Sequence, residues 1–284
     1  MIESPHSMSS VSNLIDVALS EDAASKDITT SNLVPEYVNG IAVIKTKSSG
    51  ILAGVHVSLE VFLHVDNSLI PTALITDGSS IQPGLHVATI EGKLSSILAA
   101  ERTALNFIQR MSGIATNTAQ YVNAIKGLNT KILHTRKTIP GWRILDKYAV
   151  AIGGATNHRM SLADGILIKD NHLSAMKMAG LSIDDIVKRA LKCAGNDYTG
   201  EVEVSNFHEG VEGIEAGAHA ILLDNMSIDE IHRIVDANNG RVLLEASGGV
   251  TLQTVKSIAS TGVDAISIGG LTHSSPAIDM SLDI

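Results

Sequence analysis

The chain has 284 residues, 44% of them hydrophobic, and a formal net charge of −9 from 30 acidic and 21 basic side chains. That length suits one large α/β domain or two smaller ones. The acidic balance argues against general binding to nucleic acid or to anionic membranes. The single cysteine, Cys193, excludes an internal disulfide and a cysteine-based metal cluster. It lies in the helical pattern "IDDIVKRALKCAG", where it reads as a small packing residue. The start "MIESPHSMSSVSNL" has neither the basic beginning nor the apolar run of a signal peptide. The longest apolar stretches fall short of the ~20 residues that span a bilayer, so a soluble, cytoplasmic protein is expected.

The first ~110 residues mix short strands and helices. "SNLIDVALSED" is amphipathic, with Leu14, Ile15, Ala18 and Leu19 at helical spacing. "GIAVIKTKSSGILAGV" reads as a strand, a turn and a second extended piece. "VSLEVFLHV" is a short helix, and "GLHVATIEGKLSSILAAERTALNFIQRMSGIAT" runs from a strand into a long helix. Together these predict an α+β domain with an antiparallel sheet.

From about residue 130 the rhythm becomes a regular alternation. The apolar runs "KILHT", "GILIKD", "GEVEVS", "HAILLDN", "RVLLEAS" and "DAISIGG" are separated by helical patterns such as "SIDEIHRIVDAN" and "TLQTVKSIAST". Such repetition predicts parallel strands with crossover helices, as an α/β barrel or an open doubly wound sheet. The barrel is preferred because the runs end in Arg136, Lys169, Glu203, Asp224, Ser247 and Gly269, groups that a barrel would gather at one mouth. No strand ends in the GxGxxG of a dinucleotide fold.

The groups at that mouth are of three kinds. "TRKTIPGWR" and "NHR" bring Arg136, Lys137, His158 and Arg159 together with Lys169 and His172 of "LIKDNH". These cations could simply neutralise the nearby acids, but a mixture of planar guanidinium and compact ammonium groups also suits a ligand with carboxylates and phosphates. In "EVEV", Glu201 and Glu203 are two apart on a strand and share a face, with Asp224 on a neighbouring strand. Carboxylates without cysteine or a histidine triad suit Mg²⁺, with Glu203 and Asp224 as its ligands. Ser247-Gly248-Gly249 and Ile268-Gly269-Gly270 follow the last two strands, where glycine loops at helix starts form phosphate sites. The residues thus point to a barrel enzyme for a phosphorylated, multiply anionic substrate.

The motifs "ALSEDAASKDITT", "ERTALNFIQRMSGIAT", "TRKTIPGWR", "GGATNHRMSLADGILIKDNH", "EVEV", "ILLDN", "EASGGV" and "SIGGLTHS", in this order, resemble those of the quinolinate phosphoribosyltransferase family. The resemblance covers essentially the whole chain. It implies an open-faced α+β sandwich over residues 1–115, joined by the tail 275–284, and an incomplete α/β barrel over residues 116–274. The family reaction joins quinolinate to phosphoribosyl pyrophosphate, releasing pyrophosphate and CO₂ and giving nicotinate mononucleotide in NAD biosynthesis. By this resemblance Arg136, Arg159 and Lys169 hold the quinolinate carboxylates, with His158 and Thr135 beside them. Lys137 and Lys169 lie near the pyrophosphate, and Glu203 and Asp224 near the ribose and Mg²⁺. Ser247, Gly248, Gly249, Ile268, Gly269 and Gly270 take the 5′-phosphate, and Arg102 enters across a homodimer interface. The chain departs from the family pattern at His134, where Asp is common, at Trp142, where a smaller residue is usual, and in "SKDIT". A related molybdenum-transport-associated protein and a non-catalytic anion-binding barrel are the other readings; the intact "NHR" and "LIKDNH" favour the quinolinate enzyme.

Overall fold

The computed structural model describes residues 5–194 and 199–284. Its elements in chain order are α1 (Pro5–Glu21), α2 (Ile28–Leu33), β1 (Asn39–Thr46), β2 (Gly50–Ile51), α3 (Val55–Val65), β3 (Ile70–Ala73), β4 (Ser80–Ile81), β5 (His86–Lys93) and α4 (Leu94–Ala124). Then come β6 (Lys131–Leu133), α5 (Arg143–Ile152), β7 (Ile166–Ile168), α6 (Asp170–Met178), α7 (Ile183–Ala194), β8 (Gly200–Val204) and α8 (Phe207–Glu215). Last are β9 (Ala220–Asp224), α9 (Ile228–Asn238), β10 (Leu243–Ser247), α10 (Val255–Ala259), β11 (Ala265–Ser267), α11 (Gly270–His273) and β12 (Met280–Asp283).

Internal contacts divide the chain into two units: residues up to 119 with 137–154 and 270–284, and residues 120–136 with 155–269. The first is built on an antiparallel sheet of order β12-β1-β5-β3. Along β1, Ala42, Ile44 and Thr46 are buried in alternation, the pattern of a strand with one face on the core. Residues 137–154 belong here by specific contacts, although the strand–helix rhythm had grouped them with the second half. Trp142 stacks on Phe107 of α4 with ring centroids 4.7 Å apart. Tyr148 donates its hydroxyl hydrogen to Asp77 at 2.7 Å, and Arg110 donates to both oxygens of the fully buried Asp146 at 2.9 and 3.1 Å. The large indole at position 142 therefore has a packing role on α4.

The second unit is a six-stranded parallel sheet of order β6-β11-β10-β9-β8-β7. The order is sequential except that the first strand pairs with the last, as it does when a sheet curls into a barrel. Among the described residues no ladder joins β6 to β7, so the barrel is incomplete. The segment before β7 lies along this open edge: Leu133 and Thr156 form a parallel bridge, and the Thr156 N–H donates to Ile132 O at 2.9 Å. Register and period-2 alternation sort the strand residues into two faces. Val202, Ile221, Leu244 and Ile266 share the buried apolar face. Glu201, Glu203, Leu222, Asp224, Glu245, Ser247 and Ser267 share the other. No helix among the described residues is long and apolar enough to cross a membrane.

Candidate active site

The acid-bearing face carries its charges at two depths. Deeper in the sheet, Glu201 and Glu245 are buried, at 7% and 6% exposure, and both turn toward His158. His158 Nε2 lies 3.4 Å from Glu201 Oε2 and 3.6 Å from Glu245 Oε2, and the three facing atoms fall within 4.8 Å of one another. Burial pushes the Glu245 carboxyl up to about 7, and the Glu201 carboxylate adds to that shift; His158 and the Ser267 hydroxyl oppose it. Glu245 thus takes up a proton near neutrality. The Glu201 hydrogen bond and the two carboxylates raise the His158 pKa against the cost of burial. Glu201 Oε1 is buried without a hydrogen-bond partner.

Two arginines stand beside this cluster. Burial and the nearby Arg136 guanidinium both lower the pKa of Arg159, while Glu201 and Asp164 act in the opposite sense. Like charges so placed create a strongly positive spot without losing either charge, since arginine stays protonated. Arg159 Nη1 donates to Gly165 O at 3.2 Å, and Asp164 accepts the N–H groups of Met160 and Ser161, both at 2.9 Å. Arg136 Nε is buried with no hydrogen-bond partner. His158, Arg159, Asn157 and Glu201 line one cavity of about 200 Å³ beside β7.

At the C-terminal rim of the same sheet, Lys169 Nζ pairs with Glu203 Oε2 at 3.3 Å. The Lys169 N–H donates to His172 Nδ1 at 2.9 Å, so His172 caps the start of α6. Asp224, half-buried on β9, accepts from Asn225 Nδ2 at 2.7 Å. Two oxygen-only side chains on adjacent strands and the same face suit a hard divalent cation such as Mg²⁺ that also binds phosphate.

The first glycine loop is tightly constrained. Gly248 adopts φ +93°, and a Cβ there would sit 2.2 Å from Asn225 Oδ1 and 2.7 Å from the Asn225 backbone nitrogen. Only glycine fits so close an approach. Gly249 also has a positive φ, with open space around it. The helix expected directly after these glycines forms later: residues 252–254 make a turn and α10 begins at Val255. In the second loop the buried Ile268 donates its N–H to Leu133 O at 3.0 Å, which ties it to β6. Gly269 is the last residue of the second unit, and Gly270 starts α11 in the first.

Thr135, Arg136, His158, Arg159, Lys169, Glu203, Asp224, Ser247, Gly248, Gly249, Ile268 and Gly269 all belong to the second unit; Glu203, Asp224 and Ser247 lie in the C-terminal part of their strands, whereas the Arg159 guanidinium is held by Gly165 O, just before β7 starts. Lys137, Arg102 and Gly270 belong to the first unit. Arg102 is exposed on α4, and Lys137 O accepts the Thr272 hydroxyl at 2.9 Å. Sequence reasoning missed Glu245, although the period-2 rule that paired Glu201 with Glu203 also pairs Glu245 with Ser247. His134, unexplained by the sequence, is fully buried and accepts the His158 N–H on Nδ1 at 3.1 Å. Cys193, expected as a packing residue, is exposed, although it shares a helix face with Ile186 and Ala190 and lines a cavity with them against β7.

Two family descriptions match the chain: the quinolinate phosphoribosyl transferase N-terminal domain over residues 27–112 and its C-terminal domain over residues 114–283. The chain is 40% identical to quinolinate phosphoribosyltransferase (decarboxylating) 1 of Nicotiana glauca, over 98% of its own length and 83% of that protein. It is 39% identical to the probable nicotinate-nucleotide pyrophosphorylase (carboxylating) of Bacillus subtilis (strain 168), over 93% of its length and 90% of the relative. The crystal structure of nicotinate-nucleotide pyrophosphorylase from Francisella tularensis superposes with a TM-score of 0.89 at 39% identity, covering 97% of this chain and 96% of that one. NadC from Streptococcus pyogenes gives 0.91 at 35% identity, covering 96% and 95%. With both domains matched in order and the strand-end residues gathered on one sheet, the chain belongs to the quinolinate phosphoribosyltransferase family.

Proposed function

We propose that the protein joins the ring nitrogen of quinolinate to C1 of phosphoribosyl pyrophosphate, releasing pyrophosphate and CO₂ and giving nicotinate mononucleotide. The observation that carries this reading is the juxtaposition of two mutually repelling arginines, Arg136 and Arg159, with acids on the same sheet face. Such a pair is stabilised by an incoming dicarboxylate, which guanidinium groups grip in forked fashion. Lys169 adds a third cation whose present partner is Glu203.

The pyridine nitrogen is itself the nucleophile, so the protein need supply none, and catalysis rests on holding two anions in line. As the bond to pyrophosphate breaks, positive charge grows on the ribose, and Glu203 and Asp224 are the carboxylates available to stabilise it. Mg²⁺, held by the same two acids with substrate phosphate oxygens, would offset the charge on the leaving group. Once alkylated, the ring nitrogen is cationic and stabilises the electron pair left on the adjacent carbon when its carboxylate departs as CO₂, and a proton from solvent then takes the carboxylate's place. The Ser247–Gly249 and Ile268–Gly270 loops are assigned to the 5′-phosphate. The resemblance adds Lys137 for the pyrophosphate and Arg102 from a second copy of the chain, in a cytoplasmic homodimer.

The test mixes purified protein with quinolinate, phosphoribosyl pyrophosphate and Mg²⁺ and follows CO₂ and nicotinate mononucleotide together. Equal release of both is expected; no product, alongside turnover of another anion, overturns the reading. If the site is shared, Arg102→Ala and Lys137→Ala subunits, each inactive alone, regain activity when mixed. Verified heterodimers without rescue would remove the shared site.

A further inference from the structure

We propose that Glu245 is a positioning residue for Arg159, acting through His158. This deepens the functional reading and rests on its assignment of Arg159 to the quinolinate carboxylates.

The Arg159 N–H donates to His158 Nδ1 at 2.8 Å. A nitrogen that accepts a hydrogen bond carries no proton, so the ring proton sits on Nε2. That proton points into the sheet interior, where Glu201 from β8 and Glu245 from β10 flank it at 3.4 and 3.6 Å. Leu222 of β9 stands in register between the two acid-bearing strands, so the carboxylates approach the ring from separate strands. One residue earlier the pattern repeats, with the His158 N–H donated to Nδ1 of the buried His134. Together with the Thr156 N–H on Ile132 O, these bonds fasten the segment along the open edge of the barrel. His158 thus has both ring nitrogens engaged with protein groups. It aims the arginine rather than gripping the substrate itself.

The charged and titratable groups facing His158 are Glu201 from β8, Glu245 from β10, His134 from the end of β6 and Arg159 from its own loop. The carboxylates favour a second proton on the ring, and the site left for it is Nδ1. Protonation there displaces the Arg159 N–H and loosens the loop. Acid should therefore weaken quinolinate binding before it slows the chemistry. Glu245 is ionised above about 7 and there raises the histidine pKa, so in Glu245→Gln the weakening should set in only at a lower pH.

The experiment measures KM for each substrate and kcat from about pH 5 to 8, the range in which histidine titrates, in wild type, Glu245→Gln and Glu245→Ala. The expected result is a wild-type KM for quinolinate that climbs on the acid side, and an acid limb displaced to lower pH in Glu245→Gln. In Glu245→Ala, KM for quinolinate rises roughly tenfold, about the worth of one close charge pairing in a partly buried site, with KM for phosphoribosyl pyrophosphate little changed. An acid limb that stays in place in the Gln variant, or equal changes in both KM values, overturns the proposal. Because Glu245→Ala can fail to fold, ¹⁵N ring spectra of wild type and Glu245→Gln provide a second measurement. The His158 signal, assigned by its loss in His158→Asn, should show the Nε2–H tautomer; an Nδ1–H ring overturns the proposal. That spectrum needs no substrate, so it decides the hydrogen-bond chain even if quinolinate is not turned over and the functional reading falls.

Discussion

Among the described residues the first unit buries one acid, Asp146, and the second buries two, Glu201 and Glu245, and the units treat them in opposite ways. Asp146 in the first unit is fully buried and meets the Arg110 guanidinium through two hydrogen bonds. Glu245 in the second is almost as buried, but its neighbours are another acid, a histidine and a serine hydroxyl. Burial raises the pKa of both; at Asp146 a dedicated cation opposes it, whereas at Glu245 the neighbouring Glu201 carboxylate reinforces it. A buried acid with its own cation is a fixed strut. One placed against a like charge is a proton-holding group, the kind of arrangement found where chemistry is done.

The largest break in this contrast should come from Arg110→Met. It leaves Asp146 buried without its cation, at a cost of about 3–5 kcal/mol near neutral pH. Urea unfolding reads the loss, and adding Asp146→Leu should recover most of it; no recovery would mean that Arg110 acts chiefly through its contact with Trp142. Next in size is the pH dependence contributed by Glu245. An acid whose pKa is raised by folding favours the folded state most at low pH. That contribution declines as pH rises from the ordinary value of 4.5 toward about 7, and is level above. Relative to wild type, Glu245→Gln should therefore gain stability over that window, up to about 3 kcal/mol. A difference that does not change between pH 4.5 and 7 would show that Glu245 stays ionised. The smallest effect is expected from Ser267→Ala. It removes a hydrogen bond that favours the charged form of Glu245, moves the midpoint of the same slope upward, and costs about 1 kcal/mol or less.

The barrel strands were readable because each is a short apolar run ending in a polar or glycine residue, repeated at nearly even spacing. "EVEV" showed which face its acids share because alternation is a local property of a strand. Glu245 escaped because "RVLLEAS" reads as a continuous apolar run, and only its register with Leu222 on β9 shows that it shares a face with Glu201 and Glu203. The short strands β3, β4 and β12 carry weak periodic signals and are defined by their partners. His134 and Trp142 were opaque for the same reason: a hydrogen bond to a residue 24 positions away and a ring stacked on another helix leave no mark in local sequence.

The four-stranded and six-stranded sheets both depend on late arrivals. β1 pairs with β12 at the end of the chain, and β6 pairs with β11 across most of the second unit. Neither can be completed before β12 and β11 have been made, because closure of such long loops must precede any gain from pairing. Until then β1 and β6 each offer an unpaired edge to other chains, a known route to aggregation. A nascent copy of this protein should therefore need shielding until β12 is made, and removing β12 should harm yield in cells more than activity in the molecules that survive.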